Sequence, residues 1–175
     1  MEIKGKSFEI LITEEELQNK IDIMAKAINE DYNGKTPLFV GILNGSFMFV
    51  ADIMKKITLP SKVSFIKLAS YNEMSSSGSV NELIGLNENI FKKDVIILED
   101  IIDSGLTISS VIEEFKSRGA ASVEVAVLLL KPKALKTEVD IKYIGFEIAD
   151  EFVVGYGLDF DGYGRNANAV YQLKA

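Results

Sequence analysis

Val95-Ile96-Ile97-Leu98-Glu99-Asp100-Ile101-Ile102-Asp103-Ser104-Gly105-Leu106-Thr107 decides the fold of this chain. Its first four residues are all branched aliphatics. Such a continuous run predicts a strand covered on both faces, as in a parallel sheet. Two adjacent carboxylates, Glu99 and Asp100, follow at its end. A short loop then supplies a third carboxylate, Asp103, with Ser104 and Gly105. Ile108, Val111, Ile112 and Phe115 recur at helical spacing over residues 107–118, with Gly119 as the stop. In open α/β sheets, ligands lie outside the carboxyl ends of the strands. N–H groups at a helix start favour anions. Gly105 admits close backbone approach, and Ser104 and Thr107 add hydroxyl donors. Three carboxylates would repel an anion there unless they hold hydroxyls or a hard cation such as Mg²⁺. The residues alone therefore point to a sugar phosphate with its hydroxyls and a metal. The plain alternative is that Glu99 and Asp100 open a surface loop and Asp103 or Ser104 caps the helix.

Strands alternate with helices on either side of this stretch. Residues 13–28 predict a helix, with Thr13 and Glu16 as a capping box and Leu17, Ile21, Met24, Ala25 and Ile28 on one face. Residues 37–43 are an apolar run of strand length. Asn44-Gly45-Ser46 breaks it, and a helix follows with Phe47, Val50, Ala51 and Met54 on one side. Strands are expected over 63–68 and 123–130, a short one over 82–86, and a polar loop over 72–81. The end of the chain is strand-rich over 143–148, 152–156 and 170–173. The fold class that follows is α/β: a mostly parallel central sheet flanked by helices. The whole chain, 1–175, reads as a single domain, with a small hood lobe formed by about 1–12 and 145–175.

Composition narrows the chemistry. The 175 residues contain no Cys and no His. That excludes disulfides, a thiolate nucleophile and the commonest general base. Catalysis must use carboxylates, Lys, Tyr, backbone groups or an oxygen-held metal. The net charge of −7 shows no basic footprint for nucleic acid. No apolar run approaches membrane-spanning length, and the N-terminus lacks the apolar region of a signal peptide. The expectation is a cytoplasmic protein that binds neither membrane nor nucleic acid.

The stretch 95–107 resembles the phosphoribosyl-pyrophosphate signature of type I phosphoribosyltransferases: apolar strand, Glu-Asp, two aliphatics, Asp, Ser or Thr, Gly, any residue, Thr. The remainder of the chain is similar to the hypoxanthine-guanine branch. That resemblance implies purine salvage: transfer of 5-phosphoribosyl from phosphoribosyl pyrophosphate to N9 of hypoxanthine or guanine, giving IMP or GMP. It implies that Ser104, Gly105, Leu106 and Thr107 hold the 5′-phosphate. Glu99 and Asp100 would meet the ribose hydroxyls, partly through Mg²⁺, with Asp159 as a further metal ligand. Asp103 would be the catalytic acid/base at the purine N7, a role that a chain without His must give to some such group. Lys131 would donate to the purine 6-oxo group, Phe152 would stack on the ring, and the Val153 backbone would face the 2-position. Leu43, Asn44, Gly45 and Arg165 would bind pyrophosphate. Many relatives have Lys where this chain has Asn44, so one charge is missing from that loop. Read without the family, the loop is a helix N-cap. Ser70 and Tyr71, with the Ser-rich residues after them, resemble the family's mobile loop. The family also implies a homodimer or homotetramer.

Overall fold

The computed structural model describes residues 1–68 and 82–174. Ser70, Tyr71 and the polar loop after them lie outside the described residues. Helix α1 (Glu14–Asp31) begins with the expected capping box. Glu16 N–H donates to the Thr13 hydroxyl at 3.3 Å, and Thr13 N–H donates back to the Glu16 carboxylate at 2.8 Å. Its stripe of Leu17, Ile21, Met24, Ala25 and Ile28 is buried.

Six strands form the main sheet. Five of them, β3 (Leu38–Leu43), β4 (Lys62–Leu68), β6 (Asp94–Ile102), β7 (Ser122–Leu130) and β8 (Tyr143–Glu147), run parallel to their neighbours. The short β5 (Glu82–Ile84) pairs antiparallel to β4 at one edge, and the order is β5-β4-β3-β6-β7-β8. The apolar runs are continuous because both faces are covered. Phe39, Ile96, Leu98, Ala126 and Leu128 share a core with α1 and with α2 (Phe47–Met54). Val40, Val95, Ile97, Val125 and Val127 face the other way, toward Ile108, Val111 and Phe115 of α3 (Leu106–Ser117). Both crossovers, β3-α2-β4 and β6-α3-β7, leave the sheet at the same end. That gathers residues 43–46, 99–105 and 131 along one edge.

Three expectations shift. The α2 face differs: Phe49, Val50 and Ile53 are buried, whereas Phe47 is 42% exposed and Ala51 is exposed. Seven of the eight α2 residues are apolar, so its pattern lacks the polar contrast that orients an amphipathic helix. Second, β6 runs on through Ile102, so Glu99 and Asp100 belong to the strand rather than to a loop after it. Third, the hood takes its strands from β1 (Glu2–Ile3), β2 (Lys6–Ile12), β9 (Val153–Val154) and β10 (Val170–Leu173), in the antiparallel order β1-β2-β10-β9. Residues 145–147 stay in the main sheet. A Cβ on Gly145 would lie 2.3 Å from the Leu128 carbonyl oxygen, so β8 is fitted closely to β7. The hood has its own small core of Ile3, Phe8 and Val154.

Candidate active site

A cleft of about 500 Å³ opens at the carboxyl ends of β3 and β6. Its walls include Leu43, Glu99, Asp100, Asp103, Ser104, Gly105 and Thr107, all expected from sequence. Gly105 is the residue before α3 and has φ +78°, in the left-handed region. A side chain there would cost about 1–2 kcal/mol from the backbone alone. It would also meet Leu135, Val139 and Thr137 at 3.1–3.3 Å. No side chain caps α3. The capping alternative for Asp103 is therefore not what the chain builds. The Ser104 hydroxyl only accepts a long bond, 3.4 Å, from Leu106 N–H. The first-turn N–H groups of a helix have no partner within it, so an anion could be received here at no cost in helix bonding.

The acidic pair is packed against glycine backbone. A Cβ on Gly45 would fall 1.6 Å from one Asp100 carboxylate oxygen, and Asp100 is only 8% exposed. Gly45 is therefore required for that contact. Gly157, at φ +101°, closes the other side: its Cβ would lie 1.9 Å from the Gly45 carbonyl oxygen. The peptide between Leu43 and Asn44 is cis. Ser46, fully buried, donates from its hydroxyl to the Ile42 carbonyl at 2.6 Å and makes no side-chain cap of α2. The residue 44–46 turn is thus locked to β3 and does not serve as a helix cap.

Burial first, and then the charge of Asp100, push the Glu99 carboxyl well above the usual carboxylate range. Although Glu99 as a residue keeps some solvent access, its carboxyl is enclosed beside its neighbour. A hard cation would relieve that repulsion, so the pair fits Mg²⁺ chemically. Among the described residues, no three acidic side chains form a cage. Mg²⁺ suits such a site, since it commonly takes one or two carboxylates and completes its shell with substrate oxygens and water. Asp159 does not join the pair. It accepts from Gly162 N–H at 2.7 Å and pairs with Arg165 at 2.5 Å. Arg165 also donates to the Gly157 carbonyl at 2.8 Å, which holds its guanidinium close to the Gly45 turn.

Lys131 is 7% exposed, an unusual degree of burial for an ammonium group. Its Nζ lies 3.3 Å from Asp103 and 3.2 Å from Asp150. The two residues expected to handle the base, Lys131 and Asp103, are thus in direct contact. Asp150 is the residue that sequence reasoning missed. No spacing ties it to Lys131; only the β7–β8 ladder does, continued by Ile148 N–H to the Leu130 carbonyl at 2.8 Å. Val153 is buried in β9, paired with Gln172. Phe152 stays 46% exposed, with its ring 6.4 Å from Phe8 and 5.7 Å from Phe160. These are hood contacts, and they leave one part of the ring open to solvent.

A parallel sheet with an anion cradle and an acidic strand end at its carboxyl edge defines a class of nucleotide-handling enzymes. Residues 9–161 match the phosphoribosyl transferase domain family. The chain belongs to that family. Hypoxanthine-guanine phosphoribosyltransferases are its relatives: that of Staphylococcus epidermidis is 42% identical over 95% of this chain and 93% of its own length. The Staphylococcus aureus enzyme is 41% identical over the same shares. A Bacillus anthracis hypoxanthine-guanine phosphoribosyltransferase superposes with a TM-score of 0.89 at 36% identity, covering 95% of this chain and 98% of that one. The Trypanosoma cruzi hypoxanthine phosphoribosyl transferase gives 0.90 at 33% identity, covering 99% and 94%. With such relatives over nearly its whole length, the chain is an enzyme of the hypoxanthine-guanine branch, a pentosyl-transferring glycosyltransferase.

Proposed function

We propose that this enzyme transfers the 5-phosphoribosyl group from phosphoribosyl pyrophosphate to N9 of hypoxanthine or guanine, with Mg²⁺, yielding IMP or GMP and pyrophosphate. The observation that carries this reading is the uncapped, glycine-entered start of α3 beside an enclosed acid pair and a buried lysine, Lys131, in contact with Asp103. Residues 104–107 hold the 5′-phosphate by their N–H and hydroxyl groups. Glu99 and Asp100 accept from the ribose hydroxyls and hold the metal, with Asp159 as a further ligand once Arg165 turns to pyrophosphate. Bound Mg²⁺ supplies charge neutralisation for the leaving pyrophosphate. Leu43, Asn44 and Gly45 offer backbone to the same group, and Arg165 offers its planar fork.

The base is read by donors and acceptors. An ammonium has three donors and no acceptor, so it suits a 6-oxo group and not a 6-amino group. Lys131 spends two donors on Asp103 and Asp150, which leaves one for the base. Asp103 exchanges the proton at N7. Phe152 covers the ring with its exposed face, and the Val153 backbone meets the 2-position. Keeping water from the ribosyl cation is a role for Ser70 and Tyr71.

The enzyme works in the cytoplasm, binds no nucleic acid or membrane, and forms a homodimer or homotetramer. The exposed Phe47, Val63 and Phe65, at 42%, 46% and 36%, suit burial against a second copy, and sizing by light scattering tests this. In the described residues, no helix is long and apolar enough to cross a membrane. The deciding experiment mixes protein, Mg²⁺ and phosphoribosyl pyrophosphate separately with hypoxanthine, guanine, xanthine, adenine, uracil and orotate. IMP and GMP should form, and EDTA should abolish both. No product with any base would overturn the reading.

A further inference from the structure

We propose that Asp150 is a positioning residue that holds the Lys131 ammonium for the purine and leaves Asp103 free for its proton transfer. This rests on the phosphoribosyl transfer proposed above. Lys131 is 9% exposed at its side chain, too enclosed for water to stabilise its charge. It has two carboxylate partners, Asp103 at 3.3 Å and Asp150 at 3.2 Å. Only one of them is assigned to the reaction. When the Asp103 carboxyl turns to the N7 proton, its hold on the ammonium weakens. A buried cation losing its only counter-ion would be costly. Asp150 removes that conflict. It keeps the ammonium charged and tethered, with one donor directed to the base.

The chain fixes Asp150 for this role by backbone and not by chance contact. Strand β8 pairs with β7 in register Leu130↔Glu147. Ile148 N–H extends the ladder to the Leu130 carbonyl, and Glu151 N–H closes a tight turn on the Ala149 carbonyl at 2.8 Å. Lys131 N–H is anchored in turn to the Ile102 carbonyl at 3.0 Å, one residue before Asp103. Three backbone segments therefore bring the three charges together. Asp150 faces solvent on its other side, at 66% side-chain exposure. It can hold the ammonium without itself blocking the base.

The test is a double-mutant cycle with Asp150→Asn and Lys131→Met, read as KM for hypoxanthine and KM for phosphoribosyl pyrophosphate. In the wild-type background D150N should raise KM for hypoxanthine about 3–10-fold, between the values for an exposed pair and for a charged hydrogen bond. KM for phosphoribosyl pyrophosphate should stay within about twofold, a factor too small to count as loss of a contact. In the K131M background the same change should have no further effect, because Asp150 acts only through the lysine. An equal effect in both backgrounds, an effect on KM for phosphoribosyl pyrophosphate instead, or no effect on hypoxanthine would each overturn the proposal. A wild-type protein that makes no nucleotide would sink the parent reading, and this one with it. An active wild type with an indifferent D150N sinks this one alone.

Discussion

Gly45→Ala should damage both stability and turnover, and its size follows from two contacts. The new methyl carbon would start 1.6 Å from one Asp100 oxygen and 2.5 Å from its Cγ, against at least 3.4 Å for ordinary contact. Gly45 cannot withdraw, because on its other side its carbonyl oxygen lies against Gly157. Asp100 must move instead, and it is 8% exposed. Overpacking costs about 1–3 kcal/mol, and an Asp100 off its rotamer adds about 0.5–1.5 kcal/mol. The sum, about 1.5–4.5 kcal/mol, lowers the melting temperature by about 3–18 °C for a domain of this size. Displacing a substrate-positioning carboxylate by roughly 1 Å costs on the order of 10²-fold in kcat/KM. Gly34→Ala is the control. It has φ +79° and nothing within 4 Å, so it pays only the backbone strain of about 1–2 kcal/mol and keeps full activity. Thermal unfolding and IMP formation read the two variants. If Gly45→Ala melts within about a degree of wild type and retains its kcat/KM, then Gly45 and Asp100 are not in contact and the residue 44–46 turn is not built against the acid pair.

Two further outcomes follow from the same geometry. Asp103→Asn should keep KM for both substrates near wild type while cutting kcat about 10²–10⁴-fold, the usual range for an acid/base group; unchanged turnover would remove Asp103 from that role. At alkaline pH three tyrosines should resist ionisation. Burial, the largest cause in each case, pushes Tyr32 up to about 12 and raises Tyr143 and Tyr156 further; the last two also donate to Asp31 and Asp52. A phenol with a raised folded-state pKa contributes stability that is complete below its unfolded value of about 10 and is lost as pH rises through the folded value. The protein should therefore lose stability from about pH 10 upward, and at about pH 11 phenolate absorbance should leave at least three of the six tyrosines protonated until the chain unfolds. Full ionisation of a protein that still has native circular dichroism would refute the burial of these rings.

Much of the fold was legible because burial leaves a periodic trace. The α1 stripe matched residue for residue, since its opposite face is charged. The β6 and β7 runs were legible because helices cover both faces of the sheet. Legibility failed where contrast failed: α2 is apolar almost all round, and Phe47 was assigned inward although it faces out. The acidic strand end was legible as a place where carboxylates, small residues and a helix start come together, and the cleft opens there. Asp159 and Arg165 were expected to meet different ligands, and the structure pairs them with each other at 2.5 Å. Opposite charges held this close in one turn attract, and no sequence spacing announces the pairing.

The parts of the site that sequence could not reveal share one physical character. Gly45, Gly157 and Asp100 are distant in the chain, and their contact is defined by the side chains that two of them lack. Periodicity reports what a residue buries. It does not report which backbone a glycine lets through. Asp150 poses the complementary difficulty, because a carboxylate exposed on one side looks like any surface acid. Its partner makes the difference: a lysine 7% exposed needs its charge balanced from every direction in which water is excluded. A buried cation at the end of a core strand therefore predicts at least one acidic neighbour beyond the residue assigned to catalysis. In this chain that neighbour is Asp150, which follows β8, and the register Leu130↔Glu147 carries that segment alongside the lysine.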